Sequence, residues 1–177
     1  MIGKNMLALA CCLVATSAAD WARADIVAKD AQVIGRVLGF LENPPTGTVE
    51  LGIVFDPARP ESVAEAEKLR SILGDGLTSG KARIKPRLVP ISDIVAAQSV
   101  VAFFVTRGLG DGGDAVADAA RQRHVPTITN DPACAYSGRC VISATSEPTV
   151  EIVVNKSAAE ATGTKFATFF RMLIKEI

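Results

Sequence analysis

Histidine, tryptophan and tyrosine each occur once in this sequence, and aromatic residues make up only 5% of it. The single imidazole, His124, cannot anchor a multi-histidine metal site. It stands ten positions before Cys134, outside any usual zinc spacing, and beside Arg121 and Arg123 it reads as a surface residue at a helix end. No sign of charge predominates: 19 Lys and Arg face 19 Asp and Glu. That balance argues against nucleic acid as a partner, because phosphate backbones select strongly basic surfaces. Long hydrophobic runs are missing too. The longest apolar stretch, Met6 to Ala19, falls short of the roughly 20 residues a helix needs to cross a bilayer, so no membrane span is expected. Nucleophile elbow, metal-ligand cluster and fixed carboxylate pair are all lacking, which leaves no enzyme activity and no cofactor to expect.

What the chain does have begins at its start. Lys4 supplies positive charge, the apolar stretch follows, and Ala22-Arg23-Ala24 offers small residues at Ala22 and Ala24 for a signal peptidase. Residues 1–24 therefore read as a signal peptide cut before Asp25, which places the protein in the periplasm; a cut after Ala19 is the alternative and would spare Trp21. Cys11, preceded by Ala8-Leu9-Ala10, does not fit a lipoprotein signal. Cleavage leaves 17 basic and 18 acidic residues in one unit over 25–177, a usual size for one domain. A domain of that length buries roughly 70% of its unfolded surface. It also leaves only Cys134 and Cys140, which in an oxidising compartment should pair across the turn-rich Ala-Tyr-Ser-Gly-Arg. Chain entropy gives such a short loop about 2 kcal/mol.

The pattern then alternates. Ile26, Val27, Val33, Ile34, Val37, Leu38 and Leu41 recur at helical spacing until Asn43-Pro44-Pro45. Val49 to Phe55 reads as a strand ending in Asp56-Pro57, and Glu61 to Leu73 as a helix with acids toward its start and bases further along. Ile84 to Ile91, interrupted by Pro86 and Pro90, suits an edge strand. A short helix is expected through Ile94 to Gln98, and Val100 to Val105 suits a central strand covered on both faces. A helix over Ala115 to Arg123, strands at Pro126 to Thr129, Cys140 to Ser143 and Val150 to Val154, a helical turn at Lys156 to Ala161 and a terminal helix over Phe166 to Ile177 complete the reading. Short connections between alternating elements predict a single three-layer α/β domain, its mostly parallel sheet flanked by helices in a Rossmann-like topology.

Several strand ends converge in that topology. Asp56, Thr106, Arg107, Asn130 and Asp131 all fall after strands, at the edge where open α/β sheets bind ligands, so they are candidate ligand or partner contacts. Gly108 to Gly113 spells G-x-G-x-x-G, yet it follows a late strand, and Asp111 and Asp114 would oppose a pyrophosphate. It reads as a connection or a contact loop. Phe169 and Phe170, about 100° apart on a helix, cannot both face one core, so one of them is a candidate for a groove or partner surface.

Two family resemblances add to this. Val125-Pro126-Thr127-Ile128-Thr129-Asn130-Asp131, the two cysteines, Val150-Glu151-Ile152-Val153-Val154-Asn155 and Phe169-Phe170-Arg171-Met172-Leu173 resemble the YfiR-like family of periplasmic proteins, with Asn155, Ala158, Ala159 and Gly163 in the family's order. A Trp-Pro pair usual in that family is replaced here by Glu42-Asn43-Pro44-Pro45. The resemblance implies a regulatory or sensor protein that restrains the periplasmic part of an inner-membrane signalling protein such as a diguanylate cyclase. Gly52-Ile53-Val54-Phe55-Asp56-Pro57 followed by Glu61 to Leu73 is similar to one lobe of the substrate-binding proteins of ABC importers. That second likeness implies a small-molecule ligand, and the homodimer remains open on either reading.

Overall fold

The computed structural model describes residues 25–177. The expected signal peptide, with Cys11, Cys12, Trp21 and the cleavage residues Ala22 and Ala24, lies outside the described residues. From Asp25 the chain runs through α1 (Ala28–Gly39), β1 (Gly47–Phe55), α2 (Pro60–Leu73), β2 (Leu77–Ser79), β3 (Ala82–Pro90), β4 (Val100–Val105), α3 (Gly112–Arg123), β5 (Thr127–Thr129), α4 (Pro132–Tyr136), β6 (Ile142–Thr145), β7 (Glu151–Val154), α5 (Lys156–Thr162) and β8 (Lys175–Glu176). One eight-stranded sheet takes the order β2-β3-β1-β4-β5-β6-β7-β8. Its inner pairs, β3 with β1, β1 with β4, β4 with β5 and β5 with β6, are parallel, while β2 and β7 join antiparallel.

The apolar run of β4 explains the layering. Alternate side chains of a strand point to opposite faces, so Ala102 and Phe104 join Leu51 and Ile53 of β1 beneath α1 and α2. Phe103 and Val105 join Val54 in a second core that includes Val116, Ala119 and Ala120 of α3. A sheet covered on both faces has to be apolar on both, as these two strands are. Gly52 serves the same packing, since a Cβ there would come within 2.9 Å of Phe103 Cδ1 and 3.2 Å of Val100 Cγ1.

The prolines of β3 sit where an edge can take them. β2 pairs only with Ala82 to Ile84, so from Lys85 onward the strand has β1 on one side alone, and the missing N–H of Pro86 leaves no ladder gap there. Two expectations are corrected. The helix through Ile94 to Gln98 is replaced by a 3₁₀ turn, Ile91–Asp93, and a run of turns. There Arg123 donates to the carbonyls of Ala97, at 2.6 Å, and Val95.

The terminal helix over Phe166 to Ile177 is the second correction. This segment instead pairs along its length with distant backbone: Leu41 bridges Phe166, Glu42 donates to the Lys165 carbonyl at 2.8 Å, and Ala167 donates to that of Phe40 at 2.9 Å. It then makes a 3₁₀ turn, Phe170–Met172, and ends as β8 beside β7. Phe40 stacks on Phe170 with centroids 4.7 Å apart and meets Phe169 edge-on at 5.3 Å, so tertiary contacts override the helical spacing. Glu176 fastens β8 through Arg171 at 2.7 and 3.0 Å and Lys156 at 3.3 Å. Arg171 first, then Lys156, hold its carboxyl at about 2, below the usual 4.5, against the opposing effect of burial. A carboxyl depressed in the folded state stabilises above its unfolded value and loses that contribution as pH falls through its folded one. Protection of the Ile177 amide, which donates to the Val154 carbonyl at 3.0 Å, relative to its intrinsic exchange rate is therefore expected to fall as pH drops from about 4.5 to about 2, and protection that stays constant over that window would refute the anchor.

Cys134 and Cys140 are bonded, with Cα atoms 5.2 Å apart, and Cys140 is fully buried. The bridge closes the loop around α4, whose amide at Cys140 also donates to the Cys134 carbonyl at 3.0 Å. Cys134→Ser is expected to lose about 2 kcal/mol in oxidising buffer and to match the wild type under reductant. An equal deficit in both buffers would assign the sulfur to packing instead.

Candidate functional site

The strand order places a topological switch between β1 and β4. The helix after β1 carries the chain outward to β3, and the helix after β4 carries it the other way to β5, so the connections diverge above the carboxyl ends of the two strands. Such a divergence opens a crevice. The five strand-end residues do gather at this edge, but in two sets with different surroundings.

Asp56 and Thr106 are spent on the scaffold. The Thr106 hydroxyl donates to the Val54 carbonyl at 2.8 Å and lies 2.6 Å from Ser62 Oγ, which accepts from the Asp56 amide at 3.0 Å. Thr106 and Ser62 are both buried, and together they tie α2 to the ends of β1 and β4. Asp56 accepts from the Ala58 amide at 2.9 Å and pairs with Arg59 at 3.4 Å. It forms the turn before Pro60 rather than capping α2, whose N-cap is Arg59.

Arg107, Asn130 and Asp131 line one cavity of about 250 Å³, together with Thr145, Ser146 and Glu147 after β6 and Asp25 and Asp30 near α1. A second cavity of about 310 Å³ shares Asp25 and Arg107 and extends along Ile26, Ala64 and Gly108. Arg107 is set by Glu65 of α2, which accepts from its main-chain amide at 2.6 Å and its Nε at 3.0 Å. The Asp131 amide donates to Thr129 Oγ1 at 3.0 Å, and Asp131 Oδ1 accepts from the Ala133 amide at 3.0 Å to start α4. On the far wall, Asp30 Oδ1 accepts from the Ser146 amide at 3.0 Å and Oδ2 from the Val27 amide at 2.8 Å. Lys29 donates to the Ser146 carbonyl at 3.1 Å and sits 3.6 Å from Glu147.

Two buried side-chain oxygens find no hydrogen-bond partner among the described residues: Asn130 Oδ1 and Ser146 Oγ. Both residues belong to the wall of the 250 Å³ cavity, with these two oxygens covered. An unpaired buried polar group costs about 1–3 kcal/mol, so two in one cavity wall set that wall apart from the rest of the described fold. A larger cavity of about 540 Å³ lies near the opposite ends of the strands, beside Val100, His124, Val125 and Lys165, and neither of the two orphan atoms lines it.

Ser146, Asp30, Glu147 and Glu65 escaped the sequence reading. Only Glu65 left a trace: it falls beside Ser62, Ala66 and Leu69 on the buried face of α2, an acid within an apolar stripe. The glycine loop after β4 is filled by protein rather than left open. A Cβ at Gly110, whose φ is +54°, would lie 2.7 Å from an Arg59 guanidinium nitrogen, and Arg139 reaches the Gly110 carbonyl at 3.3 Å. Of the two phenylalanines singled out, Phe170 is buried and Phe169 is half-exposed, with Met172 and Leu173 exposed after it. Among the described residues no group of three or more His, Cys, Asp or Glu is placed to hold a metal ion, and no helix is long and apolar enough to cross a membrane.

No protein-family model matches the chain, and no curated protein does. Solved structures share its fold. A conserved domain protein from Vibrio cholerae O1 biovar El Tor superposes with a TM-score of 0.60 at 14% identity, over 86% of this chain and 60% of that one. The ABC domain in complex with L-Trp from Streptococcus pneumoniae gives 0.58 at 15%, over 83% and 60%. The ligand-free, open form of CD0873, a substrate binding protein with adhesive properties from Clostridium difficile, gives 0.59 at 10%, over 85% and 59%. The chain thus shares the α/β fold of these neighbours and spans about 60% of their length. None of these three is described as YfiR-like.

Proposed function

We propose that this protein is a periplasmic, non-enzymatic binding domain that takes a small solute in the crevice walled by Arg107, Asn130, Asp131 and Ser146. The observation that carries the reading is the cavity of about 250 Å³ at the carboxyl ends of β4, β5 and β6, walled by charged and polar residues that include Arg107, Asn130, Asp131 and Ser146. The fold shared with an L-Trp complex and with a substrate binding protein supports it. A library of small metabolites screened by thermal shift tests it. A true ligand at a hundredfold excess over its Kd adds about 2.7 kcal/mol, which raises the Tm of a domain this size by about 5 °C or more. Asn130→Leu should abolish that rise, and a rise that survives it would place the ligand elsewhere.

A second reading, restraint of a membrane signalling protein such as a diguanylate cyclase, draws on the exposed Phe169, Met172 and Leu173 of the C-terminal turn. Large apolar side chains grouped at a surface suit a protein contact. Cross-linking in intact cells would test it: a membrane receptor captured by the wild type and lost with Met172→Ser supports regulation, and no receptor in either case removes it.

A further inference from the structure

The cavity of about 540 Å³ lies away from the crevice, at the amino ends of β4 and β5, and its volume falls within the range of about 300–1,000 Å³ that small-ligand pockets occupy. The start of β4 and three connecting stretches enclose it: residues 41–45 after α1, 124–126 between α3 and β5, and 163–165 after α5. Val100, Val101, Val125 and Pro126 give it an apolar side, each of them buried or half-buried. Glu42, His124 and Lys165 stand exposed around it.

Backbone geometry sets two of these charges face to face. Leu41 and Phe166 form an antiparallel bridge, with the Glu42 amide donating to the Lys165 carbonyl at 2.8 Å and the Ala167 amide to that of Phe40 at 2.9 Å. Leu41 and Phe166 both pack on the core, so Glu42 and Lys165, next along each segment, leave from the other face and stand opposite one another. Residues placed in this way carry their Cβ atoms about 4.5–5.5 Å apart, yet carboxylate and ammonium pair neither with each other nor with another described residue. Elsewhere opposite charges on neighbouring strands do meet, as Arg87 and Glu50 at 3.3 Å. The imidazole of His124 lies against Gly163, where a Cβ would stand 3.7 Å from Nδ1, and neither ring nitrogen has a hydrogen-bond partner among the described residues.

The unmatched groups here have both signs. A carboxylate that only accepts, an ammonium that only donates and an imidazole that can do either surround one apolar wall. We infer that this cavity is a second binding site, separate from the crevice, and that it takes a zwitterion with a short apolar body. The ligand's ammonium pairs with Glu42, its carboxylate with Lys165 and His124, and its hydrocarbon covers Val101 and Val125. An anion alone meets Glu42 as a like charge, and a cation alone meets Lys165 in the same way, whereas a zwitterion completes both charge-assisted contacts. No ion pair within the protein has to break to admit it.

Three probes that differ by one charged group test the class: L-norleucine, hexanoate, which lacks its ammonium, and n-pentylammonium, which lacks its carboxylate. Each is titrated into the ¹⁵N-labelled protein at matched pH and ionic strength. Saturable shifts of the Glu42, Val101, His124 and Lys165 amides with L-norleucine are the expected result, at a Kd about tenfold or more below those of the other two, the size of one lost hydrogen bond to a charged group. Glu42→Gln should remove the preference over hexanoate, and Lys165→Met the preference over n-pentylammonium. Both side chains are exposed, so the rest of each variant's spectrum should stay as in the wild type. Hexanoate or n-pentylammonium binding the wild type as tightly as L-norleucine would overturn the zwitterion class. Shifts confined to the Asn130, Asp131 and Ser146 amides would overturn this site and leave the crevice reading intact. No saturable shift with any probe would overturn the second site alone, since the crevice is tested by its own screen.

Discussion

Arg107→Ala is expected to destabilise the protein by about 3–5 kcal/mol, because it strands the Glu65 carboxylate inside the fold without its cation. The Glu65 side chain is only 6% exposed and that of Arg107 20%, so water cannot take the guanidinium's place at low cost. Urea unfolding would show the loss as a lower midpoint at unchanged slope. Glu65→Leu combined with Arg107→Met should recover part of it, since apolar replacements remove both charges together. Recovery should stop short of wild type by about 1–3 kcal/mol, for the residue 107 main-chain amide loses the acceptor it now holds at 2.6 Å. A single mutant as stable as wild type would mean the pair is hydrated and would remove Glu65 as the residue that positions Arg107.

Gly52→Val acts on the other side of the balance, by adding volume where none is spare. Its Cβ alone would stand 2.9 Å from the ring of the fully buried Phe103, and the two further methyls have to enter the same space between β1 and β4. Overpacking of this kind costs about 1–3 kcal/mol and occasionally more. The sign of the coupling is informative: Phe103→Leu, damaging alone, should be less damaging in the Gly52→Val background. Strictly additive losses would mean that the two strands separate instead of repacking.

The central architecture was legible because its causes are local. An apolar run at Val100 to Val105, flanked by glycine and polar turns, has to be a buried strand, and helical spacing over Glu61 to Leu73 survives folding intact. The crevice was half legible for the same reason: Arg107, Asn130 and Asp131 directly follow strands, and strand ends gather at one edge of any parallel sheet. Ser146 and Asp30 were not. They meet across 116 positions of sequence, and each is ordinary in its own neighbourhood. The C-terminal segment misled because Phe166, Phe169, Phe170 and Leu173 repeat at helical intervals, while the ring of Phe40 and the backbone of Leu41 and Val154 offered partners that a lone helix does not have.

The prolines of β3 also bear on how the molecule behaves in a crowd. Beyond Ile84 that margin of the sheet carries Pro86, Pro90, Lys85 and Arg87, and the opposite margin ends in the two-residue β8 with its own lysine. Neither side offers an uninterrupted row of amides onto which a neighbour's strand might zip. Fibrillar stacking is thereby discouraged at both flanks, and any self-association has to go through side chains, where it can be titrated away with salt or a single substitution.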